Sequence, residues 1–174
     1  MNVFNLLYAI WLIFPAYVAN ASAVLFKGKI PIDFNKTWRG KPIFGRGKTW
    51  RGLAGGTIAG MATGFLMNLF HQSFGEGVEM LIVLFSLCFG ALFGDMMKSF
   101  VKRRIGKERG EKWIIADQID FLLGAFLFAF LFAREWFLSA FQWYHIIFLL
   151  ILTPLIHLAT NILAYLLKLK KVPW

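Results

Sequence analysis

Five stretches of the chain are apolar almost without interruption: Asn2–Phe26, Leu53–Phe70, Val78–Met97, Asp117–Ala133 and Tyr144–Leu167. Each is close to the roughly 20 residues that one helix needs to cross a hydrocarbon core about 30 Å thick. A helix also satisfies its own backbone hydrogen bonds where no water can. The pattern predicts an all-α membrane protein of about five transmembrane helices, with residues 1–174 forming a single integral-membrane domain. The first run is too long for the apolar part of a signal peptide and has no basic segment ahead of it, so it is expected to stay as a span. Within the second run Gly52, Gly56, Gly60 and Gly64 recur every four residues, and Gly90 and Gly94 repeat the device in the third. Such stripes share one helix face and let a neighbouring backbone approach, so packing is their expected role.

Composition agrees with this picture: 59% of residues are hydrophobic and only 16% are charged. The net charge of +10 suggests nucleic acid in a water-soluble chain, but here its placement relative to the spans decides its meaning. Of the 19 basic residues all but Arg134 lie in 27–51, in 98–112 or in the tail after Leu167. Five helices threaded in alternation put all three segments on one side. The positive-inside rule then predicts an outside N-terminus, a cytoplasmic C-terminus, two long basic cytoplasmic loops and no nucleic-acid partner. Cys88 is the only cysteine and falls inside a span, so no intrachain disulfide is possible and packing is its expected role.

Ionisable groups at membrane depth are costly and usually face a polar cavity. Asp95 falls near the basic end of the third run, and Asp117 and Asp120, three residues apart and so on one helix face, at the basic end of the fourth. Three converging carboxylates repel unless a cation intervenes, and their oxygens suit Mg²⁺, which typically shares its ligands with substrate phosphates. Lys98 and Lys102 follow Asp95 by three and seven residues, with Arg103 and Lys107 nearby. Carboxylates within a basic ring suit metal-assisted phosphoryl chemistry. The plainer alternative makes the cations anchors at anionic headgroups and the aspartates their partners. A phosphate-binding P-loop is excluded, since Gly47-Lys48-Thr49 has Pro42 where that motif requires its first glycine. Flexible amides with Lys48 and Thr49 still suit phosphate oxygens. An anion transporter fits less well, because the charged groups gather at one end and the runs show no inverted repeat.

The stretch Gly94-Asp95, Lys98-Ser99-Phe100-Val101-Lys102-Arg103, Gly106-Lys107-Glu108-Arg109-Gly110 and Asp117-Gln118-Ile119-Asp120 resembles the signature of CTP-dependent cytidylyltransferases that make CDP-activated lipids. It departs from the phosphatidate enzymes at Glu108, at Gln118 and in lacking a glycine-histidine element over 112–116. Those departures fit the archaeal CDP-archaeol synthases, which the chain resembles along its length, including Pro15–Asn20, Pro31-Ile32-Asp33, Phe44–Gly52 and Asn161–Lys168. The resemblance implies transfer of CMP from the co-substrate CTP to 2,3-bis-O-geranylgeranylglyceryl phosphate, with Mg²⁺, at the cytoplasmic face of the cell membrane. It implies catalytic roles for Asp95, Asp117, Asp120, Lys98 and Lys102, with the three aspartates as metal ligands. Asn20, Lys48, Thr49, Arg103, Lys107 and Asn161 are the expected substrate-binding residues. The expected partners are CTP, the isoprenoid ether-lipid phosphate and membrane lipids, and no catalytic histidine is required.

Overall fold

The protein is described here by a computed structural model covering residues 3–107, 111, 113 and 116–166; the helical side chains at 116, 157, 160, 161 and 163–165 lie outside that description. Among the described residues six helices and one small hairpin occur in the order α1 (Val3–Leu25), β1 (Thr37–Trp38), β2 (Lys41–Pro42), α2 (Trp50–Phe70), α3 (Gly77–Arg104), α4 (Ala116–Phe132), α5 (Arg134–Ala140) and α6 (Trp143–Leu166). The all-helical membrane architecture expected from the apolar runs is present. Helices α1, α2 and α3 are each long and apolar enough to cross a bilayer, and α5 with the first part of α6 makes a fourth candidate, bent by 81° at its break. By this measure of length and composition, three of the five expected spans, or four with the bent pair, are met among the described residues. Helix α4 has only 17 residues, or about 26 Å, at the short end for a spanning helix. The fifth apolar run corresponds to α6, and the connection before it holds the short helix α5, which meets α6 at that bend.

Helix α3 is the longest, with 28 residues. At 1.5 Å per residue it extends about 42 Å, more than a hydrocarbon core, so its last turns carry Lys98, Lys102, Arg103 and Arg104 beyond the apolar layer. It packs most extensively on α4, and α1 packs on α2. The glycines explain both pairings. A Cβ placed on Gly60 would lie 2.6 Å from the Pro15 carbonyl oxygen and 2.7 Å from Cys88 Sγ, so α1 and α3 press directly on that face. Cys88 is buried in this contact, in the packing role expected of it. The core between the helices is built from Leu12, Ile13, Leu84, Leu87, Phe121 and Leu122. At the end away from the charged loops, Trp136 donates to the Ser73 carbonyl (2.9 Å) and Trp11 to the Ser73 hydroxyl (3.1 Å), seating α5 on the bundle.

The first basic segment is organised rather than loose. Its hairpin turns through Arg39 and Gly40, both with positive φ (52° and 74°), the geometry of a two-residue type I′ turn. Buried Asp33 accepts from the backbone N–H groups of Asn35 (3.1 Å), Phe44 (2.9 Å) and Gly45 (2.8 Å). Burial alone would push this carboxyl up, but the N–H groups of Gly45, Phe44 and Asn35 outweigh it and hold Asp33 below the usual carboxylate range. Arg104 then ties the hairpin to α3: its guanidinium donates to the carbonyls of Trp38, Lys41 and Pro42 and sits over the Trp38 and Phe100 rings, 5.3 and 5.2 Å from their centroids.

Candidate active site

Thr49 starts α2 and settles where the preceding residues lie. Its hydroxyl oxygen accepts from the N–H groups of Gly52 and Gly28, both at 3.1 Å, capping the helix and fixing the end of α1 against the loop. Lys48, one residue earlier, is thereby aimed at α3 and forms an ion pair with Asp95. Thr49 faces the cavity as expected, but its acceptor capacity is already used. What it offers a phosphate is its hydroxyl proton.

The three aspartates converge on Lys98. Its ammonium lies 2.8 Å from Asp120, 3.1 Å from Asp95 and 3.5 Å from Asp117. Lys102, one turn further along α3, reaches Asp117 at 2.7 Å and the Glu111 carbonyl at 2.7 Å. Asp117 is held additionally by the Trp113 N–H, at 2.8 Å. The i, i+3 and i+7 spacing inferred for α3 thus places Asp95, Lys98 and Lys102 on one face, opposite the Asp117–Asp120 face of α4. Three carboxylates and the ammonium groups of Lys48, Lys98 and Lys102 form one connected, nearly charge-balanced network. All six side chains are partly shielded from solvent, Asp120 most of all at 8% exposure.

Four members of this network, Lys48, Asp95, Lys98 and Asp117, line a cavity of about 360 Å³ between the ends of α1, α2, α3 and α4, while Lys102 and Asp120 stand outside its lining. Asn20, Lys48, Thr49, Asp95, Lys98 and Asp117 all contribute to it, so most of the expected site residues are brought together. Arg103 and Lys107 are not among its lining residues. They border a separate basic cavity of about 460 Å³ with Lys41 and Arg46. The Asn161 side chain lies outside the described residues, as do Glu108, Arg109 and the tail beyond Leu166. Lys27 lines the main cavity although the sequence marked it only as a topological charge. The available signal was its position just beyond the end of the first run, close to Asn20 and at the start of the basic loop. Asp33 and Arg104 were likewise missed as organisers, because their partners are backbone groups of a hairpin that no hydrophobic pattern announces.

Several membrane-length apolar helices with an ion-paired polar cavity where they meet their basic loops define a multi-pass membrane protein with a polar site at one end of the bundle. A family model for CarS-like CDP-archaeol synthases matches residues 2–174. The CDP-archaeol synthase of Methanoregula boonei is 44% identical over 165 residues, covering 92% of this chain and 99% of that one. Its counterpart in Picrophilus torridus is 42% identical over the whole of both chains, and that of Archaeoglobus fulgidus 44% identical over 97% of this chain and 98% of its own. A solved structure described as an intramembrane enzyme for archaeal membrane lipids biosynthesis superposes with a TM-score of 0.74 at 35% identity, over 88% of this chain and 92% of that one. The chain belongs to the CDP-archaeol synthase family.

Proposed function

We propose that the chain transfers CMP from CTP to 2,3-bis-O-geranylgeranylglyceryl phosphate, releasing pyrophosphate, at a site facing the cytoplasm. The observation that carries this reading is the ion-paired network of Lys48, Asp95, Lys98, Asp117, Lys102 and Asp120, of which Lys48, Asp95, Lys98 and Asp117 line a cavity at the ends of the membrane-length helices. A phosphate oxygen of the acceptor attacks the α-phosphorus of CTP; a new P–O–P bond forms, the bond to the β-phosphate breaks, and pyrophosphate leaves with that electron pair. The attacking oxygen is already anionic, so no strong base is needed. The lysines exchange their carboxylate partners for phosphate oxygens and neutralise charge as it moves toward the leaving group. Asn20 orients the base, the ribose or the lipid headgroup.

The donor chemistry fits Mg²⁺, which takes hard oxygen ligands. Among the described residues no three acidic, imidazole or thiol groups are arranged to hold a metal by themselves. Asp95 and Asp117, which line the cavity, with Asp120 beside them, would hold the ion jointly with the triphosphate. Bound there, it would supply further neutralisation of the phosphate oxygens. The cytoplasmic orientation and a fifth span through α4 follow from the one-sided basic charge.

Purified protein with CTP and Mg²⁺ is expected to release pyrophosphate with the isoprenoid ether-lipid phosphate as acceptor, and more slowly with a diacylglycerol phosphate. Folded protein that turns over neither acceptor contradicts the reading.

A further inference from the structure

The first basic segment carries an apolar edge that the polar cavity does not use. Ile30, Phe34 and Trp50 are 59%, 60% and 48% exposed, and none of them lines that cavity. They form one patch: the Trp50 N–H donates to the Ile30 carbonyl (3.2 Å), and the Phe34 ring centroid lies 6.3 Å from that of Trp50. Trp50 is the first residue of α2, and Phe26, which follows the last residue of α1, packs on α2 where a Cβ on Gly55 would lie 2.4 Å from its ring. The patch therefore sits where two membrane-length helices end. Phe34 has a φ of 49°, a region costly for a bulky residue and suited to glycine or asparagine. The turn is imposed by its neighbours: the Phe34 N–H donates to the Pro31 carbonyl (3.1 Å) and the Lys36 N–H to the Asp33 carbonyl (2.8 Å). Phenylalanine does nothing for that backbone; what it adds is an exposed apolar ring.

Around the patch Lys29, Lys36 and Arg51 are exposed, with no acidic partner among the described residues. Asp33, the only acid between Lys27 and Arg51, is spent on backbone N–H groups. Aromatic and aliphatic side chains at helix ends, ringed by unpaired cations, match the layer where hydrocarbon gives way to anionic headgroups. An acidic protein in water would call for the cations but not for an apolar edge at that level. We propose that Ile30, Phe34 and Trp50 dock the first basic segment onto the bilayer surface, with the rings among the upper acyl chains and Lys29, Lys36 and Arg51 on anionic headgroups. Docking steadies the polar cavity from outside, because the Ile32 N–H donates to the Lys48 carbonyl (2.8 Å) and Lys48 is the residue that pairs with Asp95. An anionic surface then governs how firmly this loop is held over the site, whatever reaction the site performs.

The test places a nitroxide label on Phe34→Cys or, as a control, on Arg39→Cys, in the full chain reconstituted into phosphatidylcholine vesicles with and without phosphatidylglycerol. Cys88 is buried and does not compete for the label. Position 39 lies at the turn of the hairpin that Arg104 ties to the far end of α3. The label at 34 is expected to collide more with oxygen, which concentrates in the bilayer, than with a nickel chelate confined to water; the label at 39 should show the reverse. Phosphatidylglycerol should move position 34 further toward oxygen, and Lys29→Gln combined with Lys36→Gln should remove that shift. A preference for the nickel chelate at 34, the same preference at both positions, or no response to phosphatidylglycerol overturns the proposal. Low access to both probes at 34 means that protein covers it, as a second copy of this chain would, and overturns it too. The unaltered protein gives a second view: hydrogen exchange at the Ile32 and Trp50 amides should slow severalfold when phosphatidylglycerol is added, and equal rates in both vesicles contradict the docking.

Discussion

Lys98 holds the site together because one ammonium group lies within ion-pair range of three carboxylates from two helices. Removing it leaves Asp95, Asp117 and Asp120 facing one another, with Lys48 and Lys102 only at the edges. Lys98→Met is expected to cut the initial rate of pyrophosphate release by about a hundredfold or more, with the protein still inserted in the membrane; a near-normal rate would remove Lys98 from the mechanism. Asp33 works at a distance, through the backbone it holds. Its carboxyl sits below its ordinary value in the folded loop, so its contribution is complete above the unfolded value of about 3.9 and is lost as pH falls through the lower folded one. Hydrogen exchange at the Phe44 and Gly45 amides should therefore accelerate only in strongly acid solution, relative to amides elsewhere in the loop. In Asp33→Ala the same amides should exchange fast at neutral pH as well. The aspartates and lysines of the network were legible in the sequence because charge in apolar runs is conspicuous. Asp33 was not, since a carboxylate in a polar loop looks ordinary until its backbone partners are known.

At the level of elements, the contact between α3 and α4 sets the distance from Lys98 to Asp120. A Cβ on Gly94 would collide with the Asp120 carbonyl oxygen. Gly94→Val is expected to force the helices apart, costing about 1–3 kcal/mol, seen as a lower unfolding temperature in detergent, and to move Asp120 away from its partner. Unchanged unfolding and activity would show that the contact is not needed. The glycine periodicity announced this packing from the sequence, because small residues at intervals of four have few other uses in lipid. The hairpin was hidden. Its turn uses Arg39 at positive φ, a position where glycine or asparagine is the usual signal. Helix α5 was equally silent, since residues 134–142 lie between two apolar runs and are too few and too mixed to announce a helix.

Across the whole molecule, the polar chemistry gathers at one end of the bundle and the aromatic packing of Trp136, Phe137 and Phe141 at the other. Hydrophobic runs read well for the class of fold and less well for the number of spans, because apolarity reports burial in lipid or protein alike. Positive-inside orientation predicts that Lys36→Cys, on an exposed loop position, reacts with a membrane-impermeant maleimide only from the cytoplasmic side, and Arg134→Cys only from the other; the native Cys88 is buried and should stay silent. Labelling of both from one side would contradict this threading. The central claim is that the charged cavity moves a nucleotidyl group onto a lipid, and CTP carrying ³²P at the α-phosphate, incubated with the isoprenoid ether-lipid phosphate and Mg²⁺, tests it most directly. The account predicts that the label passes into the lipid phase in step with unlabelled pyrophosphate release. Label that stays in water as CMP or CDP while pyrophosphate or phosphate is released would contradict it.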